Sequence, residues 1–490
     1  MEGGLGMLKF IAPQIPSLTS TAIWHTLGMT QTSSKWDLRT AMTVQVLRHL
    51  MSPDNGREPS PIGKVQATTL KDPGIKGKMW VAKATVKAPG QQEEDLRETV
   101  FKAIDDMKGD GEVSYVKPEL VDTEVEWTGY RPGATKDEPL PSISEEEKYK
   151  KMLAEPTRKS DTTILYFHGG AYYLCDPSTH RQLCSKLAKE SGGIVCSVRY
   201  RLAPQAAFPS QLLDGLMMYL SLLHPPPGSM HEAIPAKNIV LGGDSAGGNL
   251  TFALLQLLLQ LHRTSNNPKV KFHGKEADIP LPAGVTANSG WFDISRAMPS
   301  VLDNAKYDYL PPPNHDDTLS RFPADNIWPA TPPRGDLFCD LSLLDHPLAS
   351  PLAAESWEGA PPLWMCTGWE MLHDEDAIVA SRAASQGVRV QYEEYEGMPH
   401  CFGMLMPTAT NGDRCLRSWG DFCRRCVEES TGITTKGTFV HAKTGKEDEV
   451  EVTKATGILL EEARRMMKIA KERRVKGFEK EGKALPKPSL

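Results

Sequence analysis

The sequence predicts an α/β fold, a mostly parallel sheet covered by helices on both faces. From residue 163 to about 426, short apolar runs alternate with helix-forming stretches, the pattern that parallel strands with crossover helices require. Within that region, residues 238–242 read as a buried strand and residues 249–259 as a strong helix former. Between them stands Gly243-Asp244-Ser245-Ala246-Gly247-Gly248, a G-x-S-x-G pattern in its strand–turn–helix setting. Such a turn lifts a serine hydroxyl above the sheet. Its glycines are needed because a side chain there would strike a neighbouring strand or helix.

A second motif supplies what the serine needs. Thr163-Ile164-Leu165-Tyr166-Phe167 reads as another buried strand and runs into His168-Gly169-Gly170-Ala171-Tyr172-Tyr173. A tetrahedral intermediate carries a negative oxygen that preplaced N–H groups must meet. The expected donors are the amides of Gly169, Gly170 and Ala246. Sequence leaves open which successive amides of the loop point inward, Ala171 included. His168 is expected to anchor the loop rather than to act as a base.

His168-Gly169-Gly170, followed some seventy residues later by the Gly243–Gly248 motif, resembles the hormone-sensitive-lipase-like branch of the α/β-hydrolases. Intermediate landmarks match too. Ser197-Val198-Arg199-Tyr200-Arg201-Leu202-Ala203-Pro204 looks like the family's "V-x-Y-R-L-A-P" strand and turn. Phe208-Pro209 with Asp214-Gly215, and Ser289-Gly290-Trp291-Phe292-Asp293, look like later family segments. The resemblance covers roughly residues 120 to 428. It implies the α/β-hydrolase fold and cleavage of carboxylic esters of short or medium acyl chains. The extra segments look like those of fungal esterases and lipases of this family.

The base and the acid follow in the order Ser, Asp/Glu, His. Residues 392–395 read as a strand and lead to Gly397-Met398-Pro399-His400-Cys401-Phe402, where His400 matches the family's "G-x-x-H-x-F". A neutral imidazole there can take the Ser245 proton and return it to the leaving alcohol. The strand Pro362-Leu363-Trp364-Met365-Cys366 precedes Thr367-Gly368-Trp369-Glu370-Met371-Leu372-His373-Asp374-Glu375, which resembles "G-x-x-D-x-L-x-D-E". The first acidic position, Glu370, is therefore expected as the triad acid, with Asp374 as the alternative. Asp374 and Glu375 also suit the first turn of a helix over 377–385. His373 adjoins the acid in sequence and is set aside as base.

Composition agrees. The chain has 490 residues, 40% hydrophobic and 24% charged, with net charge −6, which gives no basic surface for nucleic acid or anionic membranes. Nine cysteines, an odd and scattered set, argue against a disulfide framework and for a reducing compartment. Cys423-Arg424-Arg425-Cys426 lies on an expected helix without a second pair, so packed cysteines are expected rather than zinc or redox chemistry. Met1-Glu2-Gly3-Gly4 gives no basic leader, and residues 8–15 are broken by Lys9, Pro13 and Gln14. The sequence thus reads as lacking a secretory signal and a spanning helix, which makes a cytoplasmic location the expectation. A peripheral lipid contact by the first thirty residues stands as an alternative to a packed cap.

The expected organisation is an N-terminal cap or extension over 1–120, a catalytic domain over 121–428 and an appendage over 429–490. Residues 37–51 read as an amphipathic helix opening at Asp37, and by resemblance residues 1 to about 60 form a cap over the acyl pocket. A Gly/Pro/Lys-rich region follows, then a charged helix over 93–107. Residues 122–128 read as the first core strand, and 145–153 as a short helix. An insertion around 304–341, with Pro311-Pro312-Pro313, Phe322 and Trp328, belongs to the cap by the same analogy. In the appendage, 437–441 and 449–452 are expected to pair as a hairpin around Thr444-Gly445-Lys446. Residues 456–475 read as an amphipathic helix with a basic tail.

The expected chemistry is ester hydrolysis through an acyl-enzyme without metal or organic cofactor, acting on a small-molecule acyl ester. The same triad also serves amide or thioester hydrolysis and acyl transfer. A non-catalytic ligand-binding role on this fold would predict loss of Ser245 or His400, and both are present.

Overall fold

A computed structural model of the protein describes residues 14–51, 60–90, 93–109, 111–312 and 322–480. The leader reading at the N-terminus, Pro313 and the basic stretch past residue 480 lie outside the described residues. The sheet contains β1 (Met79–Val86), β2 (Thr123–Tyr130), β3 (Thr163–Phe167), β4 (Ile194–Val198) and β5 (Ile239–Asp244). A separate hairpin, β6 (Lys269–Phe272) and β7 (Lys275–Asp278), interrupts the series. Then come β8 (Gly284–Asn288), β9 (Leu363–Gly368), β10 (Val390–Tyr395), β11 (Lys436–Val440) and β12 (Glu447–Val450).

The spatial order is β1-β2-β4-β3-β5-β8-β9-β10-β11-β12. From β4 to β11 every neighbour runs parallel, while β1, β2 and β12 pair antiparallel. The helices of eight residues or more are α1 (Ile15–Thr26), α2 (Leu38–Met51), α3 (Ile62–Thr69), α4 (Asp95–Met107), α5 (Glu145–Leu153) and α6 (Pro177–Ser191). They continue as α7 (Ser210–Leu223), α8 (Ala246–Thr264), α9 (His373–Ser385), α10 (Thr410–Glu428) and α11 (Leu460–Lys480).

The central strands are buried on both faces, which is why they read as continuous apolar runs. In β3, Leu165 and Phe167 join the core on one side of the sheet and Ile164 and Tyr166 the core on the other. In β9, Leu363 and Met365 alternate in the same way with Trp364 and Cys366. This period of two, with helices on both sides, makes the C-terminal edge of the parallel strands the place where loops meet.

Two boundaries differ from the sequence expectation. The sheet begins at Met79 rather than near residue 122, because β1 pairs along its whole length with β2, from Met79 opposite Tyr130 to Val86 opposite Thr123. Lys83 keeps this edge strand charged on its outer side, and the surrounding lysines hid its apolar residues. The C-terminal hairpin forms, with Gly437 opposite Val450 and Val440 opposite Glu447. It is no free appendage, since β11 extends the sheet alongside β10.

Helix α2 opens where expected, with the Thr40 amide donating to Asp37 Oδ1 at 2.7 Å. Helix α11 docks on the body: Ala463, Met467 and Phe478 are buried, and Lys471 and Arg474 reach Asp345 and Asp336 at 2.6 and 3.1 Å.

Candidate active site

Ser245 stands between β5 and α8 with φ +52° and ψ −120°. A non-glycine residue at such angles is strained by roughly 1–3 kcal/mol and persists only where the surroundings impose it. Three backbone hydrogen bonds do so here. The Ser245 amide donates to Asn288 O at 3.1 Å, and its carbonyl accepts from Asn249 and Trp291 amides at 3.0 and 3.1 Å. The glycines are required by close approach: a Cβ at Gly243 would lie 2.3 Å from Gly247 O, and one at Gly247 would lie 1.9 Å from Phe167 O.

The loop after β3 crosses beside this turn. The Gly169 amide donates to Asp244 Oδ1 at 3.0 Å, so Gly169 is removed from the expected oxyanion donors. The amides of Gly170, Ala171 and Ala246 take no hydrogen bond among the described residues. Gly170 has φ +112°, and a Cβ there would lie 2.4 Å from Leu174 O. Ala171 and Tyr172 follow at φ +51° and +64°, a tight reversal of the backbone. His168 is fully buried, stacked on Tyr200 with ring centroids 4.3 Å apart. Burial pushes its imidazole down to about 3, which suits the anchoring role.

Asp244 ties the two loops together and was missed as a functional position, although it stands inside the motif. Besides the Gly169 amide, its carboxylate accepts from the Tyr166 hydroxyl, from His180 Nε2–H at 3.4 Å and from Cys401 Sγ at 3.8 Å. Burial opposes its charge, but His180 and the Tyr166 hydroxyl outweigh that and hold the carboxyl at about 2.

His400 and Glu370 are both buried and bonded to each other, His400 Nδ1–H donating to Glu370 Oε2. The other Glu370 oxygen accepts from Ser289 Oγ at 2.5 Å, Thr367 Oγ1 at 3.1 Å and the Gly368 amide at 3.2 Å. Burial alone would raise this carboxyl, yet His400 and these donors hold it below its usual value. Burial likewise works against the His400 cation, while Glu370, with Asp308 and Asp244 beyond it, lifts the imidazole above its ordinary 6.5. Asp374 does not reach His400. Its Oδ2 accepts from the Ser300 amide at 2.8 Å, and its Oδ1 from His373 Nδ1–H at 3.4 Å. His373 is drawn the other way: burial opposes its charge, but Asp374 and Glu394 raise it to about 10.

Five further side chains hold the arrangement, and the sequence assigns none of them this role. Ser289 bridges the segments: its hydroxyl donates to Glu370 and accepts the Cys401 amide at 3.0 Å. Asn249 accepts from the Tyr172 hydroxyl at 2.6 Å and donates to Trp291 O and Ala349 O at 2.6 and 2.9 Å. Asp308, in the 304–341 insertion, accepts the Met371 amide at 2.8 Å and carries Tyr309, whose ring centroid is 6.0 Å from that of His400. Glu375 and Asp376, in the first turn of α9, accept the Asp293 and Gly290 amides at 2.8 and 3.2 Å. Each is a buried polar contact that only tertiary structure brings together.

Residues before β1 reach the segments around this site. Trp36 Nε1–H donates to Gly397 O, Arg48 Nε–H to Asp308 O at 2.8 Å, and Gln66 Nε2–H to Tyr173 O at 3.1 Å. Tyr172 is fully buried and stacks on Phe338 at 3.8 Å, while Phe402 packs on Tyr395 at 4.7 Å. Cys423 and Cys426 are both buried on α10. No helix of the described residues is long and apolar enough to cross a membrane.

Comparison with known proteins agrees with this fold. A family model described as α/β-hydrolase fold matches residues 164–404, the stretch that contains Ser245, Glu370 and His400. An acetyl-hydrolase of Streptomyces hygroscopicus is 31% identical over 275 residues, 56% of this chain and 79% of that one. An esterase of Acinetobacter venetianus is 28% identical over 261 residues, 53% of this chain and 73% of its own length. A crystal structure of an esterase/lipase from an uncultured bacterium superimposes with a TM-score of 0.53 at 21% identity, covering 80% of this chain and all of that one. By sequence motif, sheet order and these similarities, the chain belongs to the α/β-hydrolase fold family.

Proposed function

We propose that this α/β hydrolase cleaves carboxylic esters through an acyl-enzyme. Ser245 is the nucleophile, His400 the base and Glu370 the acid. The observation that carries the reading is the buried Glu370–His400 hydrogen bond, joined through Ser289 to the loop whose Trp291 amide holds the Ser245 carbonyl. Relatives named acetyl-hydrolase and esterase support the substrate class.

Ser245 Oγ attacks the ester carbonyl while neutral His400 takes its proton. The carbonyl oxygen gains the negative charge and is met by the amides of Gly170, Ala171 and Ala246. Glu370 fixes the imidazole tautomer and stabilises the imidazolium that forms. The alcohol then leaves with the proton from His400. Water, deprotonated by His400, attacks the acyl group, and the carboxylic acid departs as Ser245 regains its proton.

Hydrolysis of p-nitrophenyl acetate, butyrate and decanoate by the wild type and Ser245→Ala tests this. Turnover on at least one ester, lost in the variant, is expected. Absence of any turnover above the variant background would overturn it. Amide and thioester substrates in the same panel distinguish the other acyl reactions open to this triad.

A further inference from the structure

The first helix and the turn after it leave large apolar residues exposed. Ile15, Ile23, Trp24, Leu27 and Met29 are 55, 52, 47, 63 and 67% exposed. Within α1 itself only His25 is buried, and the helix rests on α2, whose Leu38 and Leu50 are also exposed. A lone exposed leucine needs no explanation, but this many large apolar side chains exposed within one short stretch mark a contact surface. Of the twelve large hydrophobics most exposed among the described residues, eight fall within residues 15–51.

Charge identifies the partner. Between Lys9 and Lys35 the sequence has no Asp, Glu, Lys or Arg, although 24% of the chain is charged. Apart from the buried His25, the polar positions of α1 are serines and threonines: Ser17, Thr19, Ser20, Thr21 and Thr26. Helices that seek anionic lipids carry Lys and Arg on the polar face, and the net charge of −6 repels such surfaces. A charge-free helix with apolar residues and an exposed tryptophan fits an uncharged interface, where tryptophan is favoured at the headgroup level.

Position gives the patch a use. Trp36, between α1 and α2, donates to Gly397 O, near His400 in sequence. Arg48 of α2 holds the Asp308 carbonyl beside the same histidine, and Gln66 of α3 holds Tyr173 in the loop opposite. The cap helices therefore bridge the segments that flank the site, and α1 is their outer layer.

We propose that α1 and the turn after it dock on the surface of a zwitterionic phospholipid bilayer. Docking brings the cap against the phase in which water-insoluble esters dissolve. That consequence rests on the ester-hydrolase reading, whereas docking does not.

Flotation of the full chain carrying Ser245→Ala with phosphatidylcholine vesicles tests docking without turnover. The comparison is the same protein with Ile23→Ser, Trp24→Ser and Leu27→Ser. The bound fraction is expected to fall at least about tenfold in the triple variant, with an unchanged thermal unfolding midpoint. Added phosphatidylserine is expected not to strengthen binding. Failure of the parent to float, equal flotation of both proteins or a requirement for phosphatidylserine would each overturn the proposal. So would a dimer in sedimentation velocity that the triple variant breaks, since a second copy would then be the partner. Vesicle binding by a protein that hydrolyses no ester would leave docking standing and overturn the catalytic reading.

Discussion

Asp244 Oδ1 accepts the Gly169 amide at 3.0 Å, so the residue before Ser245 fixes the start of the loop that faces it. The same carboxylate reaches Tyr166, His180 and Cys401, which joins the strand before that loop to the segment carrying His400. One buried charge thus sets the spacing between the proposed nucleophile, the oxyanion amides and the base.

Asp244→Asn keeps the shape and removes the charge. It is expected to lower kcat by about 10–100-fold with little change in KM, or about 1.4–2.7 kcal/mol in the barrier. Acid stability should change as well. A carboxyl held at about 2, against an ordinary 3.8, contributes stability that is present above 3.8 and lost as pH falls toward 2. Acid denaturation of the variant, followed by circular dichroism, should lose that part of its pH dependence.

Glu370→Gln and Asp374→Asn separate the two carboxylates. Glu370 is bonded to His400, whereas Asp374 serves Ser300 and His373. Steady-state kinetics should show a loss of about 10³-fold or more in kcat for Glu370→Gln, and less than about tenfold for Asp374→Asn. The reverse order would assign the acid to Asp374.

The pH profile follows from His400. Its imidazole is raised above 6.5 chiefly because Glu370 outweighs burial, and only the neutral form accepts the serine proton. The acid limb of kcat/KM should therefore have its midpoint above 6.5. In Glu370→Gln the residual activity should show this limb at lower pH, because the charge that raises His400 is gone.

Gly170→Ala and Gly247→Ala act by contact. Each added methyl would meet a backbone oxygen, at 2.4 Å from Leu174 O and 1.9 Å from Phe167 O. Gly170→Ala is expected to reduce kcat more than about 100-fold by moving the oxyanion amides. Gly247→Ala is expected to lower the unfolding free energy by about 2–4 kcal/mol, measured by urea denaturation.

The central strands were legible because burial on both faces leaves no polar alternation to confuse the reading. The expected strand from Thr163 to Phe167 has the observed bounds, as does the helix from Glu145 to Leu153. The pairing of Glu370 with His400 was readable through motif spacing. What sequence could not disclose were contacts across long separations. Gly169 loses its free amide to a carboxylate 75 positions away. β1 is recognisable as a core strand only through β2, and β11 only through β10. Asp308 reaches the His400 region through an insertion whose path no local pattern dictates.

Single-turnover mass spectrometry of the wild type with p-nitrophenyl butyrate tests whether Ser245 carries the acyl group. A butyryl adduct is expected on Ser245, absent from Ser245→Ala and accumulating in a slowly turning over Glu370→Gln variant. Ester hydrolysis without an acyl group on Ser245, or with the adduct on another residue, would contradict it.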